Sequence, residues 1–322
     1  MIFPTLFDLA VLQRNDPYTG MIDDVTTLPR EWDVIAAHPQ EDTWYKIVKM
    51  VGLPSGGFRS PNQGVTSSKP IWTNAIKEML FLDMQMIVDE AIWDGDDDSA
   101  GSIWSLEAAA TMRAAAIIIG QQFYYGTSAD PKGFAGIRSQ LAYSVSAGTT
   151  GTPNSTSAYM VWGDEREGVR FDVGKNGSFA LSSPFRQWVT DPNDSTKGFF
   201  AYVGNLKSYI GLFVGSNLSC WSIAGIPGDA TNVPTTPLDT YAQQLYAQIP
   251  QKRRNNLRWF MNRTSEAILQ QKRSAVFNTS STILGSAVPA DAAGRPMFSP
   301  LPNMLNGWPI EITDSILNTE TN

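Results

Sequence analysis

The chain has 322 residues, a net charge of −7, 42% hydrophobic and 11% aromatic content, and only 17% charged residues. That is ample material for a core, in one large domain or two to three small ones, and the acidic balance argues against a dedicated DNA-binding module with a basic face. A single His and a single Cys exclude, within one chain, a multi-His or Cys/His metal site and a disulfide framework, so no cofactor is expected.

The N-terminal stretch MIFPTLFDLAVLQRND lacks a basic n-region, carries Pro4 and Asp8, and offers no small-residue cleavage site, so it is not read as a signal peptide. No apolar run is read as approaching the roughly 20 residues that cross a bilayer. No membrane partner is therefore expected, and the cytoplasm of the producing cell is the expected location. Pro4, Pro17, Pro29, Pro39, Pro54, Pro61 and Pro70 break the first seventy residues into extended pieces, with EDTWYKIVKMVG open to a short helix or a strand. His38 precedes Pro39 and shows no evident nucleophile partner of the kind a triad needs.

From Gly52 to Pro70, GLPSGGFRSPNQGVTSSKP has turn chemistry throughout, yet it holds Phe58, Arg59 and Val65. It reads either as a projecting loop that docks on something or as a simple surface hairpin. The run Ile71 to Trp93 carries Ile76, Met79, Leu80, Met84, Ile87 and Val88 near a helical period and is expected to be a helix with a Met-rich core face. DGDDDSAGS, Asp94 to Ser102, then breaks the pattern. Gly95 comes too early for a calcium loop, so a solvated turn is expected, with Ser102 capping the next helix.

That helix runs from Ser102 to about Phe123, and its alanines at 108–110 and 114–116 allow other elements to approach closely. It ends in GQQFYYGTSADPKGFAGIR, Gly120 to Arg138, which reads as an architectural joint where Tyr124 and Tyr125 pack and Phe134 plugs a turn. From Ser157 to Ile226, seven strand-like stretches separated by Gly-, Asn- and Asp-containing turns predict an antiparallel β region. Cys220, in LSCWSIAGI, reads as a buried inert thiol. Asp164, Glu165 and Glu167 beside Trp162 suggest a glycosidase only weakly, since sugar hydrolysis needs two carboxylates across a cleft and these share one turn.

After a linker over 226–238, TYAQQLYAQIP predicts a short helix ended by Pro250, and LRWFMNRTSEAILQQKRS a second helix. Lys252, Arg253, Arg254, Arg258 and Arg263 form a basic cluster that, on an acidic chain, is expected to pair with a neighbour's acids or solvate a helix start. NGWPIEITDSILNTETN predicts a short strand with a polar tail.

Taken in order, the proline-broken arm, the loop with FRSPNQGVTSSKP, two helices leading into FYYGTSADPKGFAGIR, then YMVWGDEREGVRFDVGKNGSF and NLRWFMNRTSEAIL with GWPIEITDSIL resemble the major capsid proteins of tailed bacteriophages, with the shell fold named for phage Hong Kong ninety-seven. The resemblance covers most of the chain and rests on collinearity. It implies an α+β fold with an N-terminal arm (1–34), an extended loop (35–70), a peripheral domain with a long spine helix and antiparallel strands (71–230), and an axial domain (231–322). The strand block precedes the axial segment, so either a permuted order or an inserted β domain is implied.

The implied function is a non-enzymatic subunit that self-assembles into hexamers and pentamers of an icosahedral phage head around double-stranded DNA in loose contact. Another virion structural protein, in tail or portal, is the alternative. Implied partners are further copies of the chain with scaffold, portal and cement proteins, and the implied location is the virion, assembled in the host cytoplasm. No fused scaffolding segment is evident, so a separate scaffold is expected. A shell subunit buries area against several neighbours, which makes Trp32, Trp44, Phe58, Arg59, Trp72, Arg253 and Arg254 the candidate interface residues, while Gly56, Gly57 and Gly64 let the loop adapt. Some members of this fold cross-link a Lys to an Asn; Lys69 lies near the loop base, but no such set is located here.

Overall fold

The structure, a computed structural model, describes residues 27, 29–95, 102–148, 154–174, 179–191, 194–229, 231, 234–283 and 302–320. A short helix α1 (Glu31–Val34) and strand β1 (Ala37–Pro39) lead into β2 (Trp44–Gly52), β3 (Ile71–Glu78), β4 (Leu80–Asp89) and the short helix α2 (Glu90–Asp94). The expected helix over Ile71 to Trp93 is therefore mainly strand. The same residues also satisfy a period of two: Leu80, Leu82, Met84, Met86 and Val88 all turn inward along β4, and pairing with a distant strand over Leu80 to Asp89 overrides local helix preference. Most of the acidic turn after Asp94 lies outside the described residues, as does the Ser102 side chain.

Helix α3 (Ser102–Tyr125) follows, then β5 (Tyr143–Ser146), β6 (Ser155–Trp162), β7 (Val169–Val173), β8 (Ala180–Leu181), β9 (Phe185–Thr190), β10 (Gly198–Val214) and β11 (Cys220–Pro227). The C-terminal part holds α4 (Leu238–Gln248), β12 (Leu257–Met261), α5 (Arg263–Ile283), β13 (Met304–Leu305) and β14 (Trp308–Ile312). The LRWFM stretch, expected to open a helix, is strand β12. It lies between β6 and β14, where Trp259, Phe260 and Met261 are all buried. The helix starts only after Asn262, whose side-chain oxygen accepts the Ser265 amide at 2.9 Å as an N-cap.

One sheet has the order β1-β7-β10-β4, with β8 and β9 also paired to the long β10; a second runs β13-β14-β12-β6-β11-β5; β2 and β3 form a separate ribbon. The pairing is antiparallel except for β1 with β7, β5 with β11, and β12 with β14. The block from Ser157 to Ile226 is thus divided between the two sheets. Its β6 and β11 join the second sheet, and β7 to β10 build the first.

Strand alternation explains the layering. In β6, Ala158, Met160 and Trp162 face a core completed by Leu238, Ala242 and Leu245 of α4 and Ile268 and Leu269 of α5. Tyr159 and Val161 point the other way, into a core with Phe123 and Tyr124 of α3, Phe171 of β7 and Phe260 of β12. A third cluster, Met86, Val88, Ile92, Ile103, Trp104 and Ala108, packs the start of α3 on the first sheet. By length and composition Ile103–Ser128 would suffice to cross a membrane, at mean hydropathy 1.3, so the expectation that no such run exists does not hold. A helix packed into a soluble core passes the same test, and α3 gives Ile119, Phe123 and Tyr124 to the buried cluster between the sheets.

The joint after α3 is built as its sequence suggests. Gly126 has φ +58°, and a Cβ there would collide with the Gly136 backbone nitrogen, so the two glycines hold the chain backbone to backbone. Gln122 ties the turn by donating to the carbonyls of Phe134 at 2.7 Å and Asp130 at 3.3 Å. Tyr124 and Phe134 are buried.

Candidate assembly surfaces

The β2–β3 ribbon carries the clearest unpartnered surface. Its register sets Trp44 opposite Glu78, Lys46 opposite Ile76, Val48 opposite Asn74 and Met50 opposite Trp72. Directly opposed residues share a face, so Trp44, Val48, Met50, Trp72 and Ile76 form a mostly apolar stripe with Lys46, Asn74 and Glu78 set among them. Each of the apolar residues is more than half exposed, Trp44 at 57% and Trp72 at 59%. Exposed apolar side chains gathered on one face are the kind of surface that partners cover. Beyond the stripe, the loop between the strands presents Phe58, at 113% exposure the most open large apolar side chain among the described residues, while Arg59 folds back to donate to the Gln63 carbonyl at 2.9 Å.

The opposite face fixes the base of the ribbon to the body. Tyr45 donates a short hydrogen bond to Asp172 and stacks on Phe213, ring centroids 6.4 Å apart. Arg170 donates from Nε to the same Asp172 at 2.8 Å, and both members of this pair are buried. Lys77 reaches Gln140 at 3.4 Å; burial, then the nearby Lys49, lowers its pKa. The ribbon is therefore held rigidly at one end and bare along one face.

The remaining candidates are engaged within the chain. Trp32 stacks on Phe171 at 4.5 Å and meets Phe179 edge-on at 5.7 Å. Arg253 lies over the Trp162 ring at 5.1 Å, and Arg254 donates to the carbonyls of Ile249 at 3.1 Å and Tyr246 at 3.3 Å. Three further members of the basic cluster meet acids of the same chain: Lys252 with Glu167 at 2.8 Å, Arg258 with Glu311 at 2.7 Å, and Arg263 with Asp314 at 2.8 Å. Their expected acidic partners are thus internal.

The sequence reading missed Val48, Met50 and Ile76 as surface residues. Along WYKIVKMV both alternating sets contain apolar side chains, so periodicity alone does not reveal the outward face. Reading Ile71 onward as helix hid the partner strand as well. A second exposed apolar area lies around β9, where Trp188 packs edge-on against Phe200 at 5.0 Å and Arg186 covers Phe200 while pairing with Glu90 at 2.7 Å.

Two buried carboxylates tie the ends of the described chain to α3. Glu31 accepts from the Thr313 hydroxyl at 2.6 Å and the Ser315 hydroxyl at 3.2 Å, and the Tyr124 hydroxyl faces it without strict hydrogen-bond geometry. Burial raises the Glu31 pKa above the usual carboxylate range, and these hydroxyl contacts only partly offset that. Glu320 accepts from Tyr125 at 2.6 Å and from Ser157. Its backbone bridges to Ser155.

The groups considered for catalysis are placed otherwise. The Asp164 carboxylate accepts the Glu167 amide at 2.9 Å inside its turn, and Glu167 is held by Lys252. His38 lies exposed on β1 beside Gln40, at 3.3 Å. Cys220 is buried and its thiol is pushed up to about 12, chiefly by that burial. Among the described residues, no cluster of three or more His, Cys, Asp or Glu is arranged to hold a metal ion.

A long helix laid across a sheet, a second sheet with its own helices and a two-stranded ribbon projecting from the body make up the major capsid fold of tailed phages. A chain from the structure of bacteriophage Epsilon15 is similar at a TM-score of 0.63 and 19% identity, over 99% of this chain and 97% of that one. The chain belongs to the family of major capsid protein GP7, whose model matches residues 33–322, and it is a structural subunit of the icosahedral phage head, with its place in the virion capsid. The capsid of Myoviridae phage XM1 is similar at TM-score 0.47 and 10% identity, covering 66% of this chain and 97% of that one. Mycobacterium phage Adephagia is similar at TM-score 0.47 and 10% identity, covering 68% and 97%. No curated protein matches the sequence.

Proposed function

We propose that the β2–β3 ribbon is the extended loop by which one subunit lies over the next, and that subunits joined in this way close into the hexamers and pentamers of the head. The apolar stripe Trp44, Val48, Met50, Trp72 and Ile76 carries this reading, because its exposed side chains on a ribbon anchored by Tyr45 and Asp172 gain free energy when a partner covers them. On this reading the loop extends past residue 70, through Glu78. The peripheral domain is α3 with the first sheet, and the axial domain adds β6 and β11 to the segment from 231 onward.

The subunit works without a catalytic centre. It meets packaged double-stranded DNA loosely: the chain is acidic, and the basic cluster is largely occupied by its own acids and carbonyls. Counterion release at phosphates therefore supplies little affinity. Assembly takes place in the host cytoplasm, with scaffold, portal and cement proteins as the further partners. The test is to express the chain alone and with its phage neighbours, and to examine the product by sedimentation and electron microscopy. Closed shells or capsomers support the reading, tubes or rings point to a tail or portal component, and an inert monomer contradicts it. Strong, salt-dependent binding of the subunit to duplex DNA would contradict the loose-contact part alone.

A further inference from the structure

An open, almost wholly apolar groove of about 370 Å³ runs beside α3, lined chiefly by Trp32, Met112, Ala116, Ile119, Phe179 and Leu206, with Pro29 at its edge. Met112 is 50% and Phe179 43% exposed there, although both flank a stacked and well-packed Trp32. We propose that this groove is the seat of the chain's own N-terminal segment, residues 2–12, docked along α3 of the same subunit.

The observations converge on that occupant. The described chain begins at this place: residue 27 is its first described position, and Pro29 and Trp32 line the groove. Upstream, IFPTLFDLAVL supplies Ile2, Phe3, Leu6, Phe7, Leu9, Val11 and Leu12 with Asp8 as its single charge, a composition that matches an apolar groove. The reach is sufficient, since the connection from Leu12 to Thr27 spans up to roughly 50 Å when extended, whereas α3 is about 36 Å long. Tethering also gives the segment an effective concentration in the millimolar range, which favours it over any untethered apolar competitor. Docking there covers Met112 and Phe179 and joins the N-terminus to the helix that links both sheets.

The experiment uses the full chain carrying Met112→Cys with one of Phe3→Cys, Leu6→Cys or Phe7→Cys, the native Cys220 being buried and inert. Oxidation of an isotopically mixed population, followed by peptide mass analysis, is expected to give a disulfide within single chains for at least one of the three pairs. A disulfide formed only between chains of different label would overturn the assignment in favour of a neighbouring subunit. Absence of any disulfide across the three pairs would overturn it outright. Deletion of residues 2–12 gives an independent reading in a variant whose described core is intact: amide exchange over Met112 to Ile119 is expected to quicken several-fold, and unchanged exchange contradicts the proposal. Because each readout follows single chains, it stands or falls separately from shell assembly.

Discussion

Gly126 and Gly136 touch through their backbones: a Cβ on Gly126 would strike the Gly136 nitrogen, and a Cβ on Gly136 would crowd the Gly126 nitrogen and the Tyr124 carbonyl. This contact turns the chain from α3 into the loop that returns to the second sheet. Gly126→Ala adds a left-handed φ to that collision, and it is expected to destabilise the fold by about 2–4 kcal/mol. Gly56→Ala, in the open loop with nothing within 4 Å, is expected to change stability by less than about 0.5 kcal/mol. Thermal unfolding of the two variants checks the contrast, and equal effects would contradict the joint described here.

Glu31 makes a pH-dependent contribution. Its pKa is raised in the folded state, first by burial, so folding favours the protonated carboxyl. The stabilisation is fully present below the unfolded-state value near 4.5 and is lost as pH rises through the higher folded-state value. Glu31→Gln keeps an acceptor for Thr313 and removes the charge. Its melting temperature is expected to rise relative to the parent as pH goes from about 4 toward neutrality, and a difference that stays flat over that range contradicts the account.

The buried Arg170–Asp172 pair, with Tyr45 on the same carboxylate, anchors the ribbon. Asp172→Ala leaves the guanidinium buried without its partner and is expected to cost about 3–5 kcal/mol. Tyr45→Phe removes a single hydrogen bond to a charged group, about 1.5–3 kcal/mol. Amide exchange in β2 and β3 should therefore quicken in Tyr45→Phe while β6 and β11 stay protected. Uniform loosening of all four strands would contradict a local anchoring role.

Exposed and buried tryptophans should separate assembly from stability. Trp72→Asp, on the open stripe, is expected to shift subunit stability by less than about 0.5 kcal/mol yet abolish shell formation. Trp221→Ala, at 0% exposure between the second sheet and its helices, is expected to cost about 3–5 kcal/mol. Unfolding curves read beside sedimentation profiles decide the point: shells formed normally by Trp72→Asp would refute the role given to the stripe.

What the sequence shows and what it hides follows from how local each signal is. Helices α3 and α4, the strands β6, β7, β9 and β11, the inert Cys220 and the glycine joint are legible because apolar period, turn residues and helix punctuation act over a few positions, whereas GFFAYVG and YIGLFVG, expected as two strands, are one continuous strand β10 because NLKS keeps its pairing with β4. The stretches Ile71 to Asp89 and Leu257 to Met261 are not. Each carries enough apolar residues to satisfy either period, and strand partners elsewhere in the chain, Trp44 for Glu78, Tyr202 for Val88 and Tyr159 for Phe260, decide the outcome. The same non-locality divides the strand block between two sheets and hides Val48, Met50 and Ile76, whose outward orientation is set only by the pairing of β2 with β3.

Electron cryomicroscopy of assembled particles tests the central claim most directly, because it locates residues 44–78 relative to the neighbouring subunit. The account predicts a closed icosahedral shell of hexamers and pentamers in which Trp44, Val48, Met50, Trp72 and Ile76 are buried against the adjacent copy. A closed shell whose ribbon stands free in solvent, with that stripe touching no neighbour, would contradict it.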